Sequence, residues 1–126
     1  MKFLFIFLTF LAIDCSNKDI IADQDLEKKA LEILATEVKS MADASVCSDQ
    51  FVCDFIGFGS KPCGGNWGYL VYSSSIDVTE FLNKVKKYNT LEMNYNSKYG
   101  IISDCMVAMP PNKVICDSGK CKAVYN

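Results

Sequence analysis

Seven cysteines limit this chain more than any other feature, because their number and placement decide what can hold so short a sequence together. They stand at Cys15, Cys47, Cys53, Cys63, Cys105, Cys116 and Cys121. Cys15 stands one residue past an apolar run, and setting it aside leaves six, an even set suited to three disulfides. Zinc sites favour closely spaced pairs such as C-x-x-C, and no such pair occurs, so disulfides are the expected use of the six. A redox enzyme would need a low-pKa thiol, usually in the same motif at a helix N-terminus, and that is missing too.

The N-terminus explains where such bonds would form. Met1-Lys2 precedes the apolar stretch Phe3 to Ile13, the form of an export signal and too short for a permanent membrane span. Leu11-Ala12-Ile13-Asp14-Cys15 resembles the lipobox of bacterial lipoproteins, with Asp14 where such motifs usually carry a small residue. The expectation is a signal peptide over 1–14 and lipidation at Cys15, with plain secretion as the rival. The polar residues Ser16 to Gln24 would then tether a domain to the membrane.

Charge composition removes several function classes. The 13 basic residues are all Lys, against 15 acidic ones, and His is absent. Without Arg or a basic excess there is no footprint for nucleic acid. Without His there is no Ser-His or Cys-His nucleophile pair and no imidazole metal ligand. Carboxylates suited to glycoside chemistry exist at Asp54, Asp77, Glu80, Glu92 and Asp104, but no spacing singles out a pair. Gly64-Gly65 matches no phosphate-binding fingerprint. No enzyme and no cofactor are expected.

Periodicity then supplies an α+β fold. Residues 25–44 carry Leu26, Ala30, Leu34, Val38 and Met41, with Leu31 and Ile33 widening the stripe of an amphipathic helix. Phe51 to Phe58 and Trp67 to Ser73 are aromatic and β-branched, two antiparallel strands around the exposed loop Lys61-Pro62-Cys63-Gly64-Gly65-Asn66. Asp77 with Glu80 three residues on forms a capping box for a long helix that Gly100 stops. Met106 to Met109 suggests a strand ended by Pro110-Pro111, and the segments about Asp117-Ser118-Gly119-Lys120 suggest a hairpin that sets Cys116 opposite Cys121. The predicted architecture is a small antiparallel sheet of about four strands packed against one long helix, with an additional N-terminal amphipathic helix. Its divisions are 1–14, 15–45 and a disulfide-stabilised domain over 46–126.

Six cysteines allow fifteen pairings. The hairpin register favours Cys116 with Cys121. Cys63 with Cys105 would fasten the glycine loop to the segment returning from the long helix, which leaves Cys47 with Cys53.

Gly59 to Ser73, which contains Lys61-Pro62-Cys63-Gly64-Gly65-Asn66-Trp67-Gly68-Tyr69-Leu70, together with Tyr88-Asn89, Tyr95-Asn96 and Ser103-Asp104-Cys105, resembles a group of small envelope proteins and lipoproteins of Bacteroidota-type bacteria. The likeness covers roughly residues 50–110. In that group the residue before the Trp is often Pro, where Asn66 stands here, and Cys63 and Cys105 look like its shared pair. The resemblance implies an envelope location and supports the Cys63–Cys105 bond; it implies no activity.

The expected function is a non-enzymatic, exported binding module, anchored through Cys15 at the outer membrane or cell surface, or otherwise periplasmic or secreted. Its partner would be an envelope or extracellular protein. The candidate contact surface is Lys61, Pro62, Asn66 and Trp67 with Tyr69, Tyr72 and Phe58, since aromatic side chains beside a rigid loop suit recognition. The alternative is a protease inhibitor presenting the disulfide-tethered loop from Ser60 to Cys63. Pro62 disfavours Lys61-Pro62 as the cleaved bond, so Ser60-Lys61 would occupy the protease.

Overall fold

The residue that best explains the packing of the first helix is Val38, fully buried on α1 (Asn17–Ala44). The computed structural model describes residues 17–126, so the expected signal peptide and Cys15 lie outside the described residues. Leu31, Leu34, Ala35, Met41 and Ala42 share the inward face with Val38, the 3- and 4-residue spacing of one helix side. Leu26 and Ile33, expected in the same stripe, are 67% and 63% exposed. At 100° per residue they lie about 120° and about 140° around the helix from Val38, so they cannot share its contacts. The helix also takes in residues 17–24, expected as a tether, and Gln24 donates to the Tyr95 hydroxyl at 3.3 Å.

β1 (Cys53–Phe58) and β2 (Gly68–Ser73) pair antiparallel from Cys53 opposite Ser73 to Phe58 opposite Gly68. The strand pleat sends Ile56 and Phe58, with Leu70 and Tyr72, to one face. α2 (Val78–Tyr99) supplies Phe81, Val85 and Tyr88 to the same core. Phe58 stacks on Tyr88 with ring centroids 4.5 Å apart, and Tyr72 tilts against Phe81 at 4.8 Å. Asp77 caps α2 by accepting from the Glu80 amide at 3.0 Å, and Gly100 closes it in the left-handed region at φ 60°. The Glu80 carboxylate lies 3.7 Å from Lys84 one turn on. Lys84 also meets Glu37 at 2.6 Å and Lys98 pairs with Glu27, so α1 and α2 run antiparallel.

The end of α1 is tied to the sheet through serines. Ser45, buried, donates to the Ala42 carbonyl at 2.7 Å and accepts from the Ser73 amide at 3.1 Å. Ser73, fully buried, donates its hydroxyl to the Val46 carbonyl, so two polar side chains are satisfied inside a small core.

The C-terminal third departs from a single four-stranded sheet. β3 (Lys113–Asp117) and β4 (Lys120–Val124) form their own two-stranded ladder, giving two antiparallel pairs. The turn is Ser118-Gly119, with φ 53° and 79°, the two-residue form whose twist suits a hairpin. Residues 101–111 join no ladder, so the strand expected over Met106–Met109 is a strap instead. Asp104 accepts from the Met106 amide at 2.9 Å and curls the chain, while the Met106 carbonyl accepts from Lys61 Nζ at 2.6 Å. Those backbone groups are thereby taken by side chains.

Three disulfides close the fold: Cys47–Cys116, Cys53–Cys121 and Cys63–Cys105, with Cα atoms 5.7, 5.7 and 5.3 Å apart. Cys63–Cys105 matches the expectation; Cys116–Cys121 and Cys47–Cys53 do not. The register that suggested the first of these is correct, since Cys116 lies opposite Cys121. Directly opposed residues hold their Cβ atoms about 4.5–5.5 Å apart, wider than the roughly 3.8 Å of a disulfide. Both side chains project from one face of the hairpin, where Cys116 meets Cys47 before β1 and Cys121 meets Cys53 at its first position.

Candidate functional site

The loop between β1 and β2 is held from beneath by one side of α2. Asn89, Glu92 and Asn96, three and four residues apart, point at the chain from Gly57 to Ser60. Asn89 Nδ2 donates to the Gly57 carbonyl at 3.2 Å, and its Oδ1 accepts from the Gly59 amide at 2.7 Å. Glu92 Oε2 accepts from the Ser60 amide at 2.5 Å. Asn96 Nδ2 donates to the Ser60 carbonyl at 2.8 Å, and the Ser60 hydroxyl donates to the Asn89 carbonyl at 2.7 Å. Ser60 thus has its amide, carbonyl and hydroxyl all bonded to one helix.

Two glycines let the loop fold tightly on itself. A Cβ at Gly57 would lie 2.1 Å from Asn66 Nδ2, and one at Gly59, whose φ is 85°, would lie 2.5 Å from Trp67 Cδ1. The Trp67 indole therefore rests on bare backbone. The loop closes through the Trp67 amide donating to the Phe58 carbonyl at 3.1 Å and the Lys61 amide donating to the Gly65 carbonyl at 2.9 Å.

Lys61 joins this loop to the strap. Its ammonium lies 2.7 Å from Asp104 Oδ1 and 5.1 Å from the centre of the Trp67 ring, and its side chain is only 8% exposed. The hydrogen bond from Lys61, reinforced by the Met106 amide, holds the Asp104 carboxyl below its ordinary pKa. Cys63–Cys105 locks the same two segments covalently.

Trp67 is 47% exposed and borders a groove of about 470 Å³ between the helices. Lys28, Glu32 and Lys39 of α1 face Tyr88, Glu92 and Tyr95 of α2 across it. Burial, assisted by Glu92, pushes the Tyr88 hydroxyl up to about 12, so it stays neutral and donates to Glu92 Oε1 at 3.3 Å. The groove thus combines an aromatic wall with two cations and two carboxylates, a surface that can hold an amphipathic ligand by area and by direction.

The structure separates the seven residues expected to form one contact surface. Trp67 reaches the groove, with Lys61 behind its ring. Pro62 is half-buried beside a smaller cavity of about 300 Å³ that also touches Met93 and Ser97. Asn66 is turned inward against Gly57. Tyr69 lies on the opposite face of the sheet, edge-on to Phe55 at 5.8 Å, with its hydroxyl 3.5 Å from the Ala108 carbonyl. Tyr72, at 5% exposure, and Phe58, at 8%, belong to the core and offer no contact surface.

Tyr88, Glu92 and Tyr95 line the groove although they stand outside the expected contact surface. The repeat Tyr88-Asn89 and Tyr95-Asn96 was the available signal, and it carries both roles, tyrosines to the groove and asparagines to the loop. The five carboxylates considered for catalysis are dispersed: Asp77 caps α2, Glu80 meets Lys84, Asp104 meets Lys61, Glu92 holds Ser60, and Asp54 lies 3.4 Å from the Tyr72 hydroxyl. The three disulfides are the covalent state of an oxidising compartment. Among the described residues no helix is long and apolar enough to cross a membrane. No family model matches the chain, nor does any curated protein or solved structure.

Proposed function

We propose that this chain is a non-enzymatic, exported binding module of the bacterial envelope, delivered by a signal peptide over 1–14, anchored through a lipid on Cys15, and holding a protein partner in the groove beside Trp67. The observation that carries the reading is the state of Trp67, a large aromatic left 47% exposed although its backbone, its underside and its flanking cation are all fixed. Rigid aromatic side chains at the edge of a groove lose little entropy on binding and supply much contact area. The resemblance to small envelope lipoproteins, the apolar leader and the disulfides favour the same location.

The inhibitor alternative draws less support. Every polar group of Ser60 is engaged by α2, and the Lys61 side chain is enclosed, so neither residue projects as a protease substrate would. Pull-down from envelope extract with the intact protein and with Trp67→Ala tests the main proposal. Loss of the recovered partner with the variant is expected, while equal recovery by both forms refutes it. Mass spectrometry of the mature protein reads the lipid on Cys15.

A further inference from the structure

The strap of residues 101–111 is exposed in its middle and fixed at both ends. Met106, Val107 and Met109 are 76%, 76% and 71% exposed, and they join no ladder. Before them, Cys63–Cys105 and the Lys61–Asp104 contact hold the chain, and both backbone groups of Met106 are taken, its amide by Asp104 at 2.9 Å and its carbonyl by Lys61 at 2.6 Å. After them, Pro111 is buried and the Asn112 amide donates to the Val124 carbonyl at 2.9 Å. Ala108 is half-buried, and its carbonyl accepts from the Tyr69 hydroxyl at 3.5 Å. Val107 stands between two residues that the scaffold holds, and no group among the described residues bonds its own amide or carbonyl.

An endopeptidase takes its substrate as an extended segment, pairing with the backbone and filling one pocket with one side chain. A segment clamped on both sides loses little conformational freedom on entering such a cleft. We propose that the strap is a substrate-like inhibitory loop for a serine endopeptidase with a small aliphatic specificity pocket, with Val107 in the pocket and Val107–Ala108 as the bond presented. A pocket shaped for Lys or for an aromatic ring would be left underfilled by Val107. The Met106 carbonyl cannot play this part, because Lys61 occupies it.

The clamps also account for inhibition rather than degradation. Attack by the protease serine on the Val107 carbonyl forms an ester, breaks the Val107–Ala108 amide and sends the serine proton to the Ala108 nitrogen. Religation reverses those changes atom for atom, whereas water in place of the amine leaves a Val107 carboxylate and an Ala108 ammonium. The released piece, residues 108–126, stays attached through Cys47–Cys116 and Cys53–Cys121, and Cys63–Cys105 keeps the other new end in place. The amine therefore remains beside the ester, and religation is an intramolecular step that outpaces hydrolysis. This inference does not depend on the Trp67 groove. It also differs from the Ser60-Lys61 alternative, whose polar groups are all engaged, whereas those of Val107 are free.

The test titrates the intact protein against an elastase-type serine endopeptidase, with trypsin as the contrast. Inhibition of the first at a stoichiometric ratio is expected, with trypsin unaffected. Val107→Lys, a change at an exposed position, should weaken inhibition of the elastase-type enzyme by roughly 100-fold or more and create inhibition of trypsin. Mass spectrometry after long incubation should find a single cut at Val107–Ala108, in a protein that separates into two pieces only on reduction. Unchanged elastase-type activity at stoichiometric excess, rapid cutting without inhibition, a cut elsewhere, or equal inhibition by Val107→Lys would each overturn the proposal.

Discussion

The clustering of Cys47–Cys116 and Cys53–Cys121 makes a quantitative claim about stability that sequence separation alone gets backwards. Their separations are 69 and 68, against 42 for Cys63–Cys105. If each bond acted alone, the chain-entropy relation would assign roughly 4.4 kcal/mol to either of the first two and roughly 3.9 to the third. With the other bonds kept, however, Cys47–Cys116 closes only the six links from Cys47 to Cys53 and the five from Cys121 back to Cys116, about eleven in all and worth roughly 2.8 kcal/mol. Cys63–Cys105 closes ten links back to Cys53 and sixteen from Cys121 to Cys105, about 26, worth roughly 3.5 kcal/mol. The oxidised Cys47→Ala/Cys116→Ala protein should therefore lose less stability in urea than Cys63→Ala/Cys105→Ala. Cys53→Ala/Cys121→Ala opens the same small ring and should match the first, which separates topology from the packing of buried Cys47. If both adjacent-bond variants lose clearly more than the Cys63/Cys105 variant, the nested-ring reasoning fails.

Two smaller perturbations probe the Trp67 loop. Gly59→Ala places a Cβ at a φ of 85° and 2.5 Å from the indole, and should cost roughly 1–3 kcal/mol with a shift in Trp67 emission; unchanged urea midpoint and emission would contradict the packing described. Asp104 has a folded pKa below its ordinary 3.8, so its link to Lys61 contributes stability above that value and loses it as pH falls through the folded pKa. Asp104→Asn should flatten that acid limb in urea titrations between neutral pH and about pH 3, and a limb identical to the parent's would show the contact to be energetically silent.

Local signals gave the elements. Asp77 and Gly100 mark both ends of α2 because capping is decided within a few residues, and the Ser118-Gly119 turn sets the hairpin register for the same reason. Signals that depend on orientation were less legible. α1 carries apolar residues on more than one side, so periodicity alone did not tell that Leu31, Ala35 and Val38 turn inward while Leu26 and Ile33 face out. Met106 to Met109 of the strap reads as a strand by composition, but Asp104 and Lys61 occupy the Met106 backbone groups, and neither contact has a local signature. Within the candidate site, Trp67 was recognisable as an unusual residue beside a rigid loop. Its neighbours in the groove come from helices 40 or fewer residues before it and about 20–30 after it, a proximity that only the antiparallel packing of α1 and α2 creates.

The cysteines show the same division between local and distant information, and they explain why the binding surface needs covalent support. The helices and β1–β2 share a core in which Phe81, Val38 and Val85 are buried, whereas Ile102, Met106, Val107 and Met109 of the strap are each more than 70% exposed. Hydrophobic burial therefore does little to hold the strap against the loop. Cys63–Cys105 and the Lys61–Asp104 contact take over that task. Because the bond acts mainly by restricting the unfolded chain, it secures the strap without requiring a larger core. It also keeps Lys61 beneath the Trp67 ring, so the half-exposed indole keeps one orientation. Rigidity at Trp67 thus rests in part on where the sulfurs are, and a protein lacking only this bond should retain its helix-and-sheet core by circular dichroism while the fluorescence anisotropy of the indole falls.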